Sequence, residues 1–218
     1  MLKLYLKELI MTKRIFITAT NTDIGKTYAT SLLLKELASS GLKVGVFKPI
    51  ETGVETEPLD GKKLFDLALE LNPSLNSLSL KDIVPYQFKL PAAPIVAKED
   101  TKIDLTYLSA KLEQIEKLCD VVLIEGAGGL MVPVEEGLFM VDFISYFKTS
   151  VLLVVPSRLG SINDTLLSRH LLDSKNIEYT WAINLYEDAD TFHQVTAPFY
   201  KNDYLSLQEN IKEITNKL

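Results

Sequence analysis

Five runs rich in apolar and β-branched residues punctuate the chain, at Arg14–Thr18, Lys43–Phe47, Asp120–Ile124, Ser150–Val155 and Tyr179–Ile183. Most are continuously apolar rather than alternating, as expected for parallel strands covered by helices on both faces. Between them the period becomes helical. Thr30, Leu33, Leu34, Leu37 and Ala38 share one face of a segment from about Lys26 to Ser40, with Gly41 placed to close it. Asp104 is a candidate cap for a helix whose inner face is Leu105, Leu108, Leu112, Ile115 and Leu118. Ser161-Ile-Asn-Asp164 has the form of a capping box ahead of Leu166, Leu167 and Leu171. Strands alternating with helices predict an α/β fold, a three-layer sandwich with a mostly parallel central sheet. Residues 1–11 read as a short extension and residues 12–218 as one domain, with no internal repeat or low-complexity tract.

Composition narrows the function classes. The chain has 218 residues, 47% hydrophobic and 24% charged, enough to bury a core without a metal or disulfide staple. Its 23 basic and 29 acidic residues give a net charge of −6, which argues against a nucleic-acid partner. An anionic ligand would therefore need a local cluster of cations. Cys119 is the single cysteine and stands at the entry to an apolar run, which reads as a core filler rather than a nucleophile. With only His170 and His193 there is no histidine-rich metal centre. The opening apolar run is broken by Lys7 and Glu8 and lacks a small-residue cleavage site, so it is not read as a signal peptide. No stretch reaches the length of a membrane span, so a cytoplasmic protein without a membrane partner is expected.

The unusual polar residues follow the carboxyl ends of the predicted strands: TATNTDIGKT, KPIETG, EGAGG, PSRLGSIND and NLYED. In a parallel sheet these ends share one edge, where ligands bind. Topology would thus bring together Lys26, Thr27, Lys48, Thr52, Glu125 and Asn163 from distant parts of the chain. Gly25-Lys26-Thr27 between a strand and an amphipathic helix suits a phosphate, with backbone N–H groups and an ammonium around the anion and a hydroxyl for Mg²⁺. The standard pattern G-x-x-x-x-G-K-S/T is incomplete, because Thr20 occupies its first glycine position. Lys48 at a strand end either snorkels into water or binds an anion, and its pattern leaves both open. Glu125 ends an apolar strand, where a carboxylate needs a partner or a cation. Asp66 reads by itself as part of a solvated helix face.

These segments together resemble the dethiobiotin synthetase family, a P-loop NTPase-like class of ATP-dependent ligases. TNTDIGKT is similar to its G-T-D-T-x-V-G-K-T loop, with Ala19 in the place of the first glycine. FKPIETG resembles Y-K-P-x-x-S/T-G, EGAGG precedes Pro133 as in the family, and LGSIN and VPYQFKLPAAP also match, over roughly residues 13 to 184. The resemblance implies joining of CO₂ to 7,8-diaminopelargonate and ATP-driven closure of the ureido ring, in a homodimer with sites at the interface. It implies catalytic roles for Lys48, Lys26 and Thr22. The nucleotide would lie on Asp23, Ile24, Gly25, Lys26, Thr27, Tyr28, Asp66, Glu125, Gly126, Ala127, Gly128 and Asn184. The substrate would touch Thr22, Lys48, Thr52, Gly128, Gly160 and Asn163, with Gly160 and Asn163 supplied by the partner subunit. Mg²⁺ would sit on Thr27, Asp66 and Glu125.

The chain departs from the family at three places. Asp23 stands where glutamate is common, AAP replaces a histidine-containing segment, and the region after Asn184 lacks the expected G-x-I-P stretch and base-contacting acid. Weak discrimination among nucleotide bases is expected. The alternative of a partitioning-type ATPase switch calls for an additional lysine early in the loop, where this chain has Thr20-Asn21-Thr22.

Overall fold

A computed structural model describes residues 12–186, 189–201 and 203–218; the predicted extension at residues 1–11 lies outside the described residues. In chain order the first elements are β1 (Lys13–Ala19), α1 (Lys26–Ser39), β2 (Val44–Phe47), β3 (Ile50–Thr52), α2 (Leu59–Leu71) and β4 (Tyr86–Phe88). After these come α3 (Leu105–Glu116), β5 (Val121–Gly129), β6 (Pro133–Glu135), β7 (Leu138–Phe139) and α4 (Asp142–Phe147). The chain continues through β8 (Ser150–Pro156), α5 (Ser161–Ser174), β9 (Thr180–Asn184) and α6 (Ile211–Lys217), with several one-turn helices between elements.

Ile15, Phe16 and Ile17 are consecutive and all fully buried, because β1 is the middle strand of a sheet flanked by helices. The order is β2-β5-β1-β8-β9, and every pair is parallel. Each predicted strand is present within a residue or so at its start. One buried cluster runs from Ile15 to Leu218, with Phe16, Phe47, Phe143 and Phe147 among its largest fully buried side chains. Helix α1 packs against α2 and α6, and α3 packs on β2 and β5. The three-layer α/β expectation therefore holds.

Two helix ends match their sequence signals. Gly41 is left-handed just past α1, and Asp104 accepts a hydrogen bond from the Thr106 amide to cap α3. The predicted capping box at Ser161 does not form. Gly160 takes the N-cap in a left-handed conformation, Ser161 is the first helical residue, and Asp164 pairs with Arg158 instead. The predicted leucines of this helix do not form its buried side. Leu166 and Leu167 are exposed, and the buried positions of α5 are Ser161, Thr165 and Leu172.

The predicted glycine loop after Glu125 is a continuation of β5, which runs to Gly129 and pairs that residue with Ala19 across an irregularity in the ladder. The chain's last segment returns to the sheet edge. Ile183 donates to Leu205 O at 2.8 Å and accepts from Leu207 N at 2.9 Å, a single parallel bridge that no hydrophobic alternation announces.

Candidate active site

The carboxyl ends of β1, β2, β5 and β9 open into a cavity of about 1010 Å³. Its phosphate loop runs from Thr20 to Gly25 and enters α1 at Lys26. Gly25 sits at the N-cap with φ 97°, a left-handed turn that a side chain would strain, and its open side faces Asn184. Asp23 is also left-handed, at φ 58°. Lys26 folds back over this loop and donates to Asn21 O at 3.0 Å.

Glu125 organises the floor. It is fully buried, and its Oε1 accepts from Lys48 Nζ at 2.7 Å and Thr27 Oγ1 at 3.0 Å. Its Oε2 accepts from Thr30 Oγ1 at 2.7 Å. Strands β1, β2 and β5 are neighbours, so the residues following or ending each arrive at one point. Lys48 is buried too, and its Nζ lies 4.0 Å from Asp60 Oδ2.

Charge states follow from this crowding. Burial alone would depress the Lys48 ammonium, but the carboxylates of Glu125 and Asp60 more than offset it and hold its pKa above the usual range. Burial alone would raise Glu125, but the Lys48 charge and hydrogen bond pull it below the carboxylate norm. Lys26, burdened by burial and by repulsion from Lys48, falls to about 8. Glu51, on β3, is pushed upward by burial. The result is a charged lysine fixed over a carboxylate, with a second lysine poised to gain an anionic partner.

Most of the expected residues converge. Thr22, Asp23, Gly25, Lys26, Thr27, Tyr28, Lys48, Thr52, Gly126, Ala127, Gly128 and Asn184 line the cavity. Ile24 is buried behind it and offers its carbonyl to Asn184 Nδ2 at 2.9 Å. Glu125 lies beneath the lining through its bonds to Lys48 and Thr27.

Asp66 does not join them. It is exposed on α2 and pairs with Lys62 at 2.8 Å, because it lies beyond the helix start that faces the cavity. Asp60, at that start, lines the cavity in its place. Gly160 and Asn163 likewise fall outside the cavity lining, and the Asn163 side chain is exposed beside Asp164.

The sequence reading missed several participants. Thr30 counted there as one core position of α1, although its hydroxyl faces Glu125. Glu51 lies inside the KPIETG segment, where only Lys48 and Thr52 are singled out, and Asp60 lies six residues before Asp66, the acid that the resemblance selects. Gln208 lines the cavity from the returning tail, donating to Asn184 Oδ1 at 2.8 Å and accepting from Leu185 N at 3.1 Å.

A family model described as an AAA domain matches residues 13–205. The ATP-dependent dethiobiotin synthetase BioD of Sulfurovum sp. (strain NBC37-1) is 52% identical over 85% of this chain and 89% of its own length. The protein of that name from Wolinella succinogenes is 37% identical over 94% and 98% respectively. Escherichia coli (strain K12) BioD 1 is 34% identical over 80% and 78%. Among solved structures, a plasmid partition protein from Borrelia burgdorferi superposes with a TM-score of 0.55 at 15% identity, covering 94% of this chain and 95% of that one. The MinD cell division protein of Aquifex aeolicus gives 0.51 at 19% identity, covering 94% and 86%. Those two likenesses establish the fold alone.

Proposed function

The chain belongs to the family of ATP-dependent dethiobiotin synthetases, and from that membership we propose how its own cavity performs the reaction. It is a ligase of biotin biosynthesis that forms carbon–nitrogen bonds. In this reading CO₂ adds to an amine of 7,8-diaminopelargonate as a carbamate, and ATP phosphorylates a carbamate oxygen. The neighbouring amine then attacks the carbonyl carbon, and phosphate leaves as the ureido ring closes.

The observation that carries the reading is the pair Lys26 and Lys48 converging on one cavity above buried Glu125. Every species on the path is anionic, so two ammonium groups at the strand ends suit both carbamate and γ-phosphate. Lys48 keeps its proton and donates to the carbamate and the transferring phosphoryl oxygens. Lys26 leaves the Asn21 carbonyl for the triphosphate, and the Gly25 end of α1 supplies backbone N–H groups. Thr22, Thr52 and the Gly128 backbone orient the diamine. No covalent nucleophile is needed; alignment of bound reactants is worth up to about 7–11 kcal/mol.

Thr27 is hydrogen-bonded to Glu125, and Asp60 lies 4.0 Å from the Lys48 ammonium that also holds Glu125; all three are hard oxygen donors of the kind Mg²⁺ takes. Bound there, the ion would neutralise phosphate charge. Asp60 takes the place given to Asp66 by resemblance.

A homodimer is part of the same proposal. Gly160 and Asn163 of the partner subunit would hold the substrate's distal carboxylate. Exposed Leu159, Leu166 and Leu167 around the start of α5 support a covered face. Among the described residues no helix is long and apolar enough to cross a membrane. A cytoplasmic location belongs to the same proposal, on the biosynthetic role of the relatives.

Phosphate release from ATP, measured with and without the diamine and bicarbonate, tests the reading. Release that requires both supports ring closure. Release indifferent to both would favour an ATPase switch of the partitioning type.

A further inference from the structure

Helix α2 begins without a local cap: Pro58 is its N-cap residue, and no side chain of its own accepts the first amides. The cap comes instead from β3. Glu51 Oε2 accepts from Gly61 N at 2.8 Å and Oε1 from Asp60 N at 3.1 Å, the two amides that an ordinary N-cap would serve. A carboxylate is also favoured there by the helix dipole. Gly61 makes room for this approach. A Cβ on it would lie 3.2 Å from Glu51 Oε2 and 2.1 Å from Val84 Cγ2.

The consequence is geometric. Glu51 is 8% exposed, whereas the Asp60 side chain is 55% exposed and points its carboxylate to within 4.0 Å of Lys48 Nζ. The backbone of Asp60 is thus clamped from below while its carboxylate faces the cavity beside Lys48. Glu51 sits on the short strand that directly follows Lys48 and Pro49. One rigid segment therefore fixes both the lysine and the acid. A serine or aspartate at position 58 would cap α2 equally well, but would not tie it to the strand bearing Lys48.

We propose that Glu51 is a positioning residue that holds Asp60 at the metal- and phosphate-facing edge of the cavity. The inference rests on the reading of Asp60 as a Mg²⁺ ligand. Glu51→Ala should free the Asp60 and Gly61 amides, giving about fivefold faster hydrogen exchange in the protein without nucleotide or metal. The Mg²⁺ concentration that half-maximally tightens a fluorescent ATP analogue should also rise about fivefold. Asp60→Asn should raise that concentration at least as far. Adding Glu51→Ala to Asp60→Asn should change it no further, because the clamp then has nothing to position. Glu51→Gln, which keeps one acceptor, should fall between wild type and Glu51→Ala, and it replaces Glu51→Ala in the cycle if that variant does not fold.

Effects that multiply in the double variant would overturn the proposal and make Glu51 an independent ligand of metal or substrate. Faster exchange with an unchanged Mg²⁺ requirement would overturn it and leave Glu51 as a helix cap alone. If Asp60→Asn does not move the Mg²⁺ requirement, the metal reading of Asp60 fails, and the present inference fails with it for that separately visible reason.

Discussion

Lys48 Nζ and Glu125 Oε1 lie 2.7 Å apart with both side chains withdrawn from solvent, and Thr27 donates to the same carboxylate oxygen. The pair is a structural element, and in the proposed mechanism a catalytic one as well. Lys48→Ala should therefore abolish turnover and also destabilise the fold, since it strands a buried carboxylate. Losing one partner of a buried pair costs about 3–5 kcal/mol, and the remaining Thr27 and Thr30 hydroxyls place this case at the low end. Urea unfolding of Lys48→Ala and of Lys48→Met/Glu125→Gln checks it. The double variant should be the more stable of the two.

Asp60 and Asp66 are separated by their roles. Asp60→Asn should reduce kcat by at least about tenfold at low Mg²⁺ and recover partly when Mg²⁺ is raised. Asp66→Asn should match wild type, because its pair with Lys62 lies on the exposed side of α2, where water and salt screen it. Steady-state rates across a Mg²⁺ series read out both.

Asp82 supplies a pH signature away from the cavity. Burial alone would raise it, but hydrogen bonds from Lys111 and Ser79 bring its pKa down to about 2 from the usual 3.8. Its stabilisation is complete above the unfolded value and is lost as pH falls from about 4 through about 2. The loss is well below the full value of that shift, because Asp82 and Lys111 lie near the surface where solvent screens the pair. Denaturant midpoints across that range should fall further for wild type than for Asp82→Asn.

Cys119 should be inert in the native state. Its thiol is buried, donates to Ile115 O, and is pushed up to about 12, chiefly by burial. Labelling with a thiol reagent should proceed only as fast as the protein opens. A rate equal to that of a free peptide thiol would refute the packing described for the β2–α3 contact.

Base selectivity should be weak. Asn184 spends both ends of its amide inside the protein, on Ile24 O and on Gln208. Turnover with ATP, GTP and CTP should therefore agree within about tenfold, a difference of about 1.4 kcal/mol. A much stronger preference for ATP would show that this network rearranges to read the base.

The strands were legible because central parallel strands are apolar where helices cover both faces, as in the buried runs Ile15–Ile17, Val121–Ile124 and Val151–Val155. The phosphate loop, Lys48 and Glu125 were legible because topology alone sends strand ends to one edge. Asp60 was not. Choosing between it and Asp66 depends on where α2 begins, and that start is capped by Glu51 from another element. Gln208 was hidden for a similar reason, since the tail reaches β9 through one bridge rather than a patterned strand.

The measurement that bears most directly on the central claim uses the intact protein with MgCl₂, ATP, 7,8-diaminopelargonate and ¹³C-bicarbonate, followed by mass spectrometry. The expected product is dethiobiotin carrying a single ¹³C in its ureido carbonyl, formed with one ADP and one phosphate per ring closed. ATP hydrolysis without that labelled product would contradict the claim.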